Sequence, residues 1–143
     1  MPTSGDRRPE LLVDTSVAVA LSVADHEGLA ASRAAVARRR LGLAGHAAFE
    51  SFSVLTRLPA PARRTPAAIG RLLVTNFPHS RFLSAAGTAD LLARLPELGI
   101  SGGSVYDALV GAVAVQEQVP LVTRDHRALR TYRALDVDVL LVT

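Results

Sequence analysis

Leu11-Leu12-Val13-Asp14-Thr15-Ser16 is the stretch that decides the fold. Its three apolar residues, entered at Glu10, have the form of a short strand buried on both faces, as strands of parallel sheets are. Thr15-Ser16 can cap a helix beginning near Val17. Asp14 then falls where a buried strand runs out, the place where open parallel sheets bind ligands. The pattern recurs near the other end, where Asp125 follows Leu121-Val122-Thr123 by two residues.

Between and beyond these two strands the chain alternates. A helix is expected after Asp25, ending in Arg38-Arg39-Arg40, then a strand over Leu41–Gly45 and a helix over His46–Leu58 closed by Pro59-Ala60-Pro61 and Arg63-Arg64. Thr65-Pro66 is a cap followed by a proline at the first helical position, opening a helix that runs to about Thr75. A short strand is expected over Arg81–Ser84, a helix capped by Thr88 through Leu95, and a loop over Gly99–Gly103. Helix Ser104–Gln118, strand Val119–Thr123, helix His126–Leu135 and strand Val137–Val142 complete the reading. This predicts an α/β fold, a parallel sheet covered by helices on both faces and built from right-handed crossovers. Residues 1–9 read as a loose tail and residues 10–143 as one domain.

Composition narrows the chemistry. With 143 residues and 49% apolar content the chain can build one real core, and no repeat or low-complexity segment divides it. There is no cysteine, which removes disulfides and thiolate metal sites and fits the cytoplasm. The apolar run from Leu11 to Ala24 contains Asp14 and is too short to span a membrane. All sixteen basic residues are arginine, so a P-loop, which needs a lysine, is excluded. Phosphoryl-aspartate sites that rely on a lysine are equally poor candidates. The net charge of +3 permits a polyanionic partner, and arginine is the better bidentate ligand for phosphate.

Two further acids stand in apolar surroundings, Glu50 between Phe49 and Phe52, and Asp107 between Tyr106 and Ala108-Leu109-Val110. Each of the four has a plain structural explanation. Asp14 and Asp125 can be helix caps, and Glu50 can be a solvated flank of a helix whose Ala48, Phe49, Phe52 and Leu55 point to the core. Asp107 is harder to explain, because aspartate is a mediocre helix former. Its helix neighbours Ser104, Gly111 and Ala114 are small enough for close packing. If the fold gathers the four, they repel. Two unit charges about 4 Å apart cost roughly 4 kcal/mol at an effective dielectric of about 20, so such a cluster takes up protons or binds a hard divalent cation.

The segment Leu12-Val13-Asp14-Thr15-Ser16, the glutamate of Phe49-Glu50-Ser51, the helix Val105-Tyr106-Asp107-Ala108-Leu109 and the strand end Val122-Thr123-Arg124-Asp125 resemble the PIN-domain nucleases. In particular the chain resembles the VapC toxins, the ribonuclease half of type II toxin-antitoxin pairs, from Leu11 to the C-terminus. The resemblance implies a PIN-like three-layer fold and Mg²⁺- or Mn²⁺-dependent cleavage of RNA. It makes Asp14 and Asp107 the principal metal ligands, with Asp125 binding directly or through water. Glu50 supports the metal or orients the attacking water. Thr15, Ser16 and Thr123 are candidates to fix these carboxylates by hydrogen bonds. A homodimer silenced by a cognate VapB-like antitoxin is the implied assembly.

RNA is expected to be held through phosphate, by Arg124, Arg127 and Arg130 beside the fourth acid, with Arg63 and Arg64 more remote. Arg38-Arg39-Arg40 reads as a solvated face. With two tyrosines, four phenylalanines and no tryptophan, base stacking on an exposed aromatic sheet is not expected. Gly99-Ile100-Ser101-Gly102-Gly103 matches G-x-S-x-G but follows a helix rather than a strand, so it reads as a loop. His26, His46, His79 and His126 show no metal-binding spacing and read as ordinary loop and helix-end residues. Two alternatives stay open: a PIN nuclease of RNA processing or DNA cleavage, and a non-catalytic α/β binding module. Metal-dependent activity abolished by EDTA separates the last from both nuclease readings.

Overall fold

A computed structural model of the chain describes residues 5–143; the first four residues of the expected tail lie outside the described residues. Among the described residues four strands, β1 (Glu10–Val13), β2 (Arg40–Leu43), β3 (Leu121–Thr123) and β4 (Val139–Leu141), form one parallel sheet in the order β2-β1-β3-β4. Among the same described residues seven α-helices connect and cover it: α1 (Thr15–Ser22), α2 (Leu29–Val36), α3 (His46–Thr56), α4 (Pro66–Asn76), α5 (Ala85–Leu98), α6 (Ser104–Glu117) and α7 (Leu129–Ala134), the last preceded by a 3₁₀ turn over His126–Ala128.

Strand alternation sorts the core into layers. Leu11 and Val13 of β1 and Val122 of β3 face a cluster with Leu43 of β2, with Val17, Val36, Leu55, Ile69 and Leu73 from α1 to α4, and with Phe77 at the end of α4. Leu12 and Leu121 face the opposite way, onto Val110, Val113 and Ala114 of α6 and Tyr132 of α7. The α/β three-layer arrangement expected from the sequence is therefore the one observed. Because β2 lies on one side of β1 and β3 on the other, the connections diverge between β1 and β3. A crevice opens beyond their carboxyl ends, where Asp14 and Asp125 sit.

Several expected boundaries shift for local reasons. Asp14, rather than Thr15 or Ser16, is the N-cap of α1, its side chain accepting from the Val17 N–H. No strand forms over Arg81–Ser84. Pro78 to Arg81 instead follows the free edge of β2 through isolated bridges at Gly42 and Ala44, and the Leu43 N–H on that edge donates to the Ser80 hydroxyl. Gly42 permits this close passage, since a Cβ there would lie 2.0 Å from the His79 carbonyl oxygen. Helix α5 starts earlier than expected, because Ser84 caps it through the Gly87 N–H while Thr88 bonds back to the Ser84 carbonyl as a first-turn residue. It also continues past Leu95 through Pro96 and closes on Gly99 at φ 68°. Arg40 opens β2 instead of ending the preceding helix.

Helix α3 is rotated from the expected orientation. Ala47, Ser51 and Leu55, at successive i+4 positions, face inward, leaving Phe49 67% and Phe52 38% exposed. Packing against α1, α4 and α6 at once selects the face with the small residues.

Candidate active site

Asp14, Thr15, Ser16, Glu50, Asp107, Val110, Asp125 and Tyr132 line one cavity of about 60 Å³ at the carboxyl end of the sheet. This exceeds the roughly 10–15 Å³ that a water-sized occupant needs. Each acid arrives there by a different local device. Asp14 is the residue by which β1 becomes α1. Asp125 leaves β3 and caps the 3₁₀ turn, its Oδ1 accepting from the Arg127 N–H at 2.9 Å. Asp107 is in the first turn of α6. Glu50 is on α3, which is launched by Gly45 at φ 52°, a conformation that L side chains rarely adopt, in a corner where a Cβ would lie 2.8 Å from Val113.

Asp14 is 4% exposed and almost saturated with donors. Its Oδ1 accepts from the Ser16 hydroxyl at 2.6 Å and the Val17 N–H at 3.3 Å, while Oδ2 accepts from the Thr123 hydroxyl and, at 2.9 Å, from the Tyr132 hydroxyl. The web extends outward. The Asp125 N–H donates to Thr123 Oγ1 at 3.0 Å and the Arg124 N–H to Ser16 Oγ at 2.9 Å, so the ends of β1 and β3 are laced together. Burial pushes the Asp14 carboxyl up, and its four donors oppose that shift. Burial and then the Asp14 charge push the Tyr132 phenol up, so it remains a donor.

On the opposite wall the acids are less well served. Glu50 Oε2 accepts from Thr15 Oγ1 at 3.4 Å, and Oε1 lies 3.2 Å from His46 Nε2 one helical turn earlier. Asp107 is pushed up to about 6, first by burial and then by the charges of Asp125, Glu50 and Asp14. No three His, Asp or Glu side chains among the described residues stand close enough together to grip an ion as they are. The carboxylates share a cavity without sharing a point.

Comparison with known proteins bears on this constellation. The PIN domain family profile matches residues 11–134. Ribonuclease VapC27 of Mycobacterium tuberculosis is 44% identical over 133 residues, covering 93% of this chain and 97% of that protein. This chain belongs to the PIN-domain family, among the VapC ribonucleases. Ribonuclease VapC40 of the same species is also 44% identical, over 132 residues, with 91% of this chain and 97% of that protein covered. The PIN fold itself is matched by the solved structure of Rickettsia felis VapBC2 bound to a DNA fragment from its promoter, with a TM-score of 0.65 at 15% identity over 92% of this chain and 97% of that one.

Within this PIN domain the three expected arginines are differently disposed. Arg124 is partly buried, and its guanidinium lies against Gly28 at the start of α2, where a Cβ would fall 2.3 Å from Cζ. Arg127 is exposed beside Asp125. Arg130 lines a separate hollow with Ser101 and Ser104. Arg63, also exposed, is turned back onto the Leu58 carbonyl.

Three residues at the site were not anticipated. Tyr132 is 1% exposed and bonds to a carboxylate 118 positions away, a contact no local pattern announces. It fits beside α6 because Gly111, one turn beyond Asp107, has no side chain; a Cβ there would lie 3.1 Å from the tyrosine ring. His46 was legible in principle, since i and i+4 residues meet on a helix. Tyr106 stacks on His46 with ring centroids 5.0 Å apart and planes 19° from parallel.

Proposed function

We propose that this VapC-family ribonuclease is a Mg²⁺- or Mn²⁺-dependent endoribonuclease acting as the toxin of a type II pair, with Asp14, Glu50, Asp107 and Asp125 as its catalytic centre. The observation that carries this reading is the convergence of the four carboxylates on one cavity, with Asp107 raised to about 6 first by burial and then by the charges of the other three. An all-oxygen donor set suits a hard divalent cation rather than a soft one, and a cation would relieve that field. Asp14 and Asp107 would be the principal ligands, with Asp125 direct or through water.

When bound, the cation polarises a phosphoryl oxygen and lowers the pKa of bound water. The chain's own part is to fix the geometry. Ser16, Thr123, Tyr132 and the Val17 N–H hold Asp14 in a single orientation, so one ligand direction is set before substrate arrives. Thr15 and His46 take one oxygen of Glu50 each, leaving lone pairs to orient water. Arg127, exposed on the 3₁₀ turn after β3, is the first candidate to meet backbone phosphate, with Arg124 and Arg130 more peripheral.

The relatives' names support an RNA substrate. Partnership with a VapB-like antitoxin, a homodimer and a cytoplasmic setting complete the proposal. No helix among the described residues is long and apolar enough to cross a membrane. The purified protein is expected to cleave RNA with Mg²⁺ or Mn²⁺ and to stop on addition of EDTA, while folded Asp107→Asn protein is inactive. Undiminished cleavage in EDTA, or by the Asn variant, would overturn the assignment.

A further inference from the structure

Aromatic residues are few, but four of the six are at the surface: Phe49, Phe52, Phe82 and Tyr106. A solitary exposed apolar side chain is ordinary. Tyr106 is not in that position. It directly precedes Asp107 on α6, it is 53% exposed, and one side of its ring is backed by His46, nearly parallel at 5.0 Å. The same His46 contacts Glu50 at 3.2 Å on the wall of the carboxylate cavity. The ring is thus tied to the site through one intervening side chain, stacked on a second ring, and half exposed to solvent.

We infer that Tyr106, supported by His46, is a stacking platform for one unpaired nucleobase of the RNA, next to the phosphate that is cut. This rests on the nuclease reading and adds to it a contact with a base, where the arginines offer contacts with phosphate only. Every base has a π-face, so a rigid exposed ring recognises an unstacked base without regard to identity. Prior stacking on His46 lowers the ordering cost of binding, because the ring plane is already fixed. A paired duplex keeps its bases stacked on one another and offers none to the ring. The arginines grip phosphate regardless of strandedness, so the platform is what separates the two kinds of RNA.

The test uses the full chain carrying Asp107→Asn, to prevent cutting, and short single-stranded oligoribonucleotides with 2-aminopurine placed at successive positions. One position is expected to be quenched on binding. Tyr106→Ala is expected to abolish that quench and weaken affinity about tenfold, with the slope of affinity against salt unchanged because no charge is lost. Tyr106→Phe, which keeps the ring, stays within about twofold by the same reasoning, and His46→Ala falls between them. Equal melting temperatures confirm folding. Unaltered affinity and quench in Tyr106→Ala overturns the platform, as does a loss confined to binding of an antitoxin peptide, which would assign the ring to a protein partner. The nuclease reading is judged separately: if the otherwise wild-type chain cuts RNA with Mg²⁺ while Tyr106→Ala binds and cuts as it does, only the platform fails.

Discussion

The two walls of the cavity present the same functional group under opposite conditions. On the sheet side, Asp14 is buried, receives four hydrogen bonds and doubles as a helix cap. On the helix side, Asp107 is half-buried, has no hydrogen-bond donor among the causes of its shift and lies in the field of three other acids. At Asp14 burial opposes the charge and four donors offset part of that opposition. At Asp107 the charge is merely endured. One wall is a fixed reference and the other an unmet demand, and the cation-dependent site proposed above has use for both.

The contrast breaks most sharply under truncation. Replacing either aspartate by alanine is expected to lower RNA cleavage by roughly 100- to 1,000-fold, several kcal/mol of transition-state stabilisation at about 1.4 kcal/mol per factor of ten. Stability should move in opposite directions. Asp14→Ala orphans buried hydroxyls and removes a cap, a loss of about 2–4 kcal/mol, whereas Asp107→Ala relieves repulsion and raises the metal-free melting temperature. Thermal unfolding in EDTA reads both signs, and equal destabilisation by the two changes would dissolve the distinction.

A smaller effect sharpens the fixed wall. Tyr132→Phe keeps the packing on Gly111 but removes one donor from Asp14. Apparent Mg²⁺ affinity or kcat should fall by about 10- to 100-fold, with KM for RNA unchanged, as measured by metal titration at saturating substrate. A rise in KM alone would make the hydroxyl a bystander.

The strained wall should announce itself in pH dependence. Asp107 has a folded value of about 6 against an ordinary 3.8, so the folded state binds the extra proton between those values. Its contribution favours folding below about pH 4 and is lost as pH rises through about 6. Metal-free protein is therefore expected to melt at a higher temperature at pH 5 than at pH 7 from this group, and Asp107→Asn should flatten that difference. An unchanged profile in the Asn variant would place the repulsion elsewhere. The least effect is expected from the arginines, where Arg127→Ala should reduce the log-log salt slope of RNA binding by about one with little change in kcat.

What could be read from residues alone follows a physical line. Strand β1, the Thr65-Pro66 helix start and the position of Asp107 in the first turn of α6 were legible, because period, capping and proline geometry act within a few residues. The parallel sheet followed from alternation of elements. Side-chain facing on α3 was not legible, since Phe49 and Phe52 look like core until α1, α4 and α6 together choose the face with Ala47 and Ser51. The cap of α5 was missed because Ser84 and Thr88 are equally good caps locally, and only the backbone selects Ser84. For the site, the acids and the small hydroxyl residues beside them stood out as charges and caps in apolar settings. Tyr132 did not, as its partner is brought to it only by the completed sheet.

That long reach has a consequence for folding. Ser16 and the Val17 N–H can hold Asp14 as soon as α1 forms, whereas Thr123 and Tyr132 lie 109 and 118 positions further along the chain. Contacts so distant in sequence are slow to close, because loop entropy opposes them until they are made. Full orientation of this carboxylate therefore reports that β1 and β3 have paired.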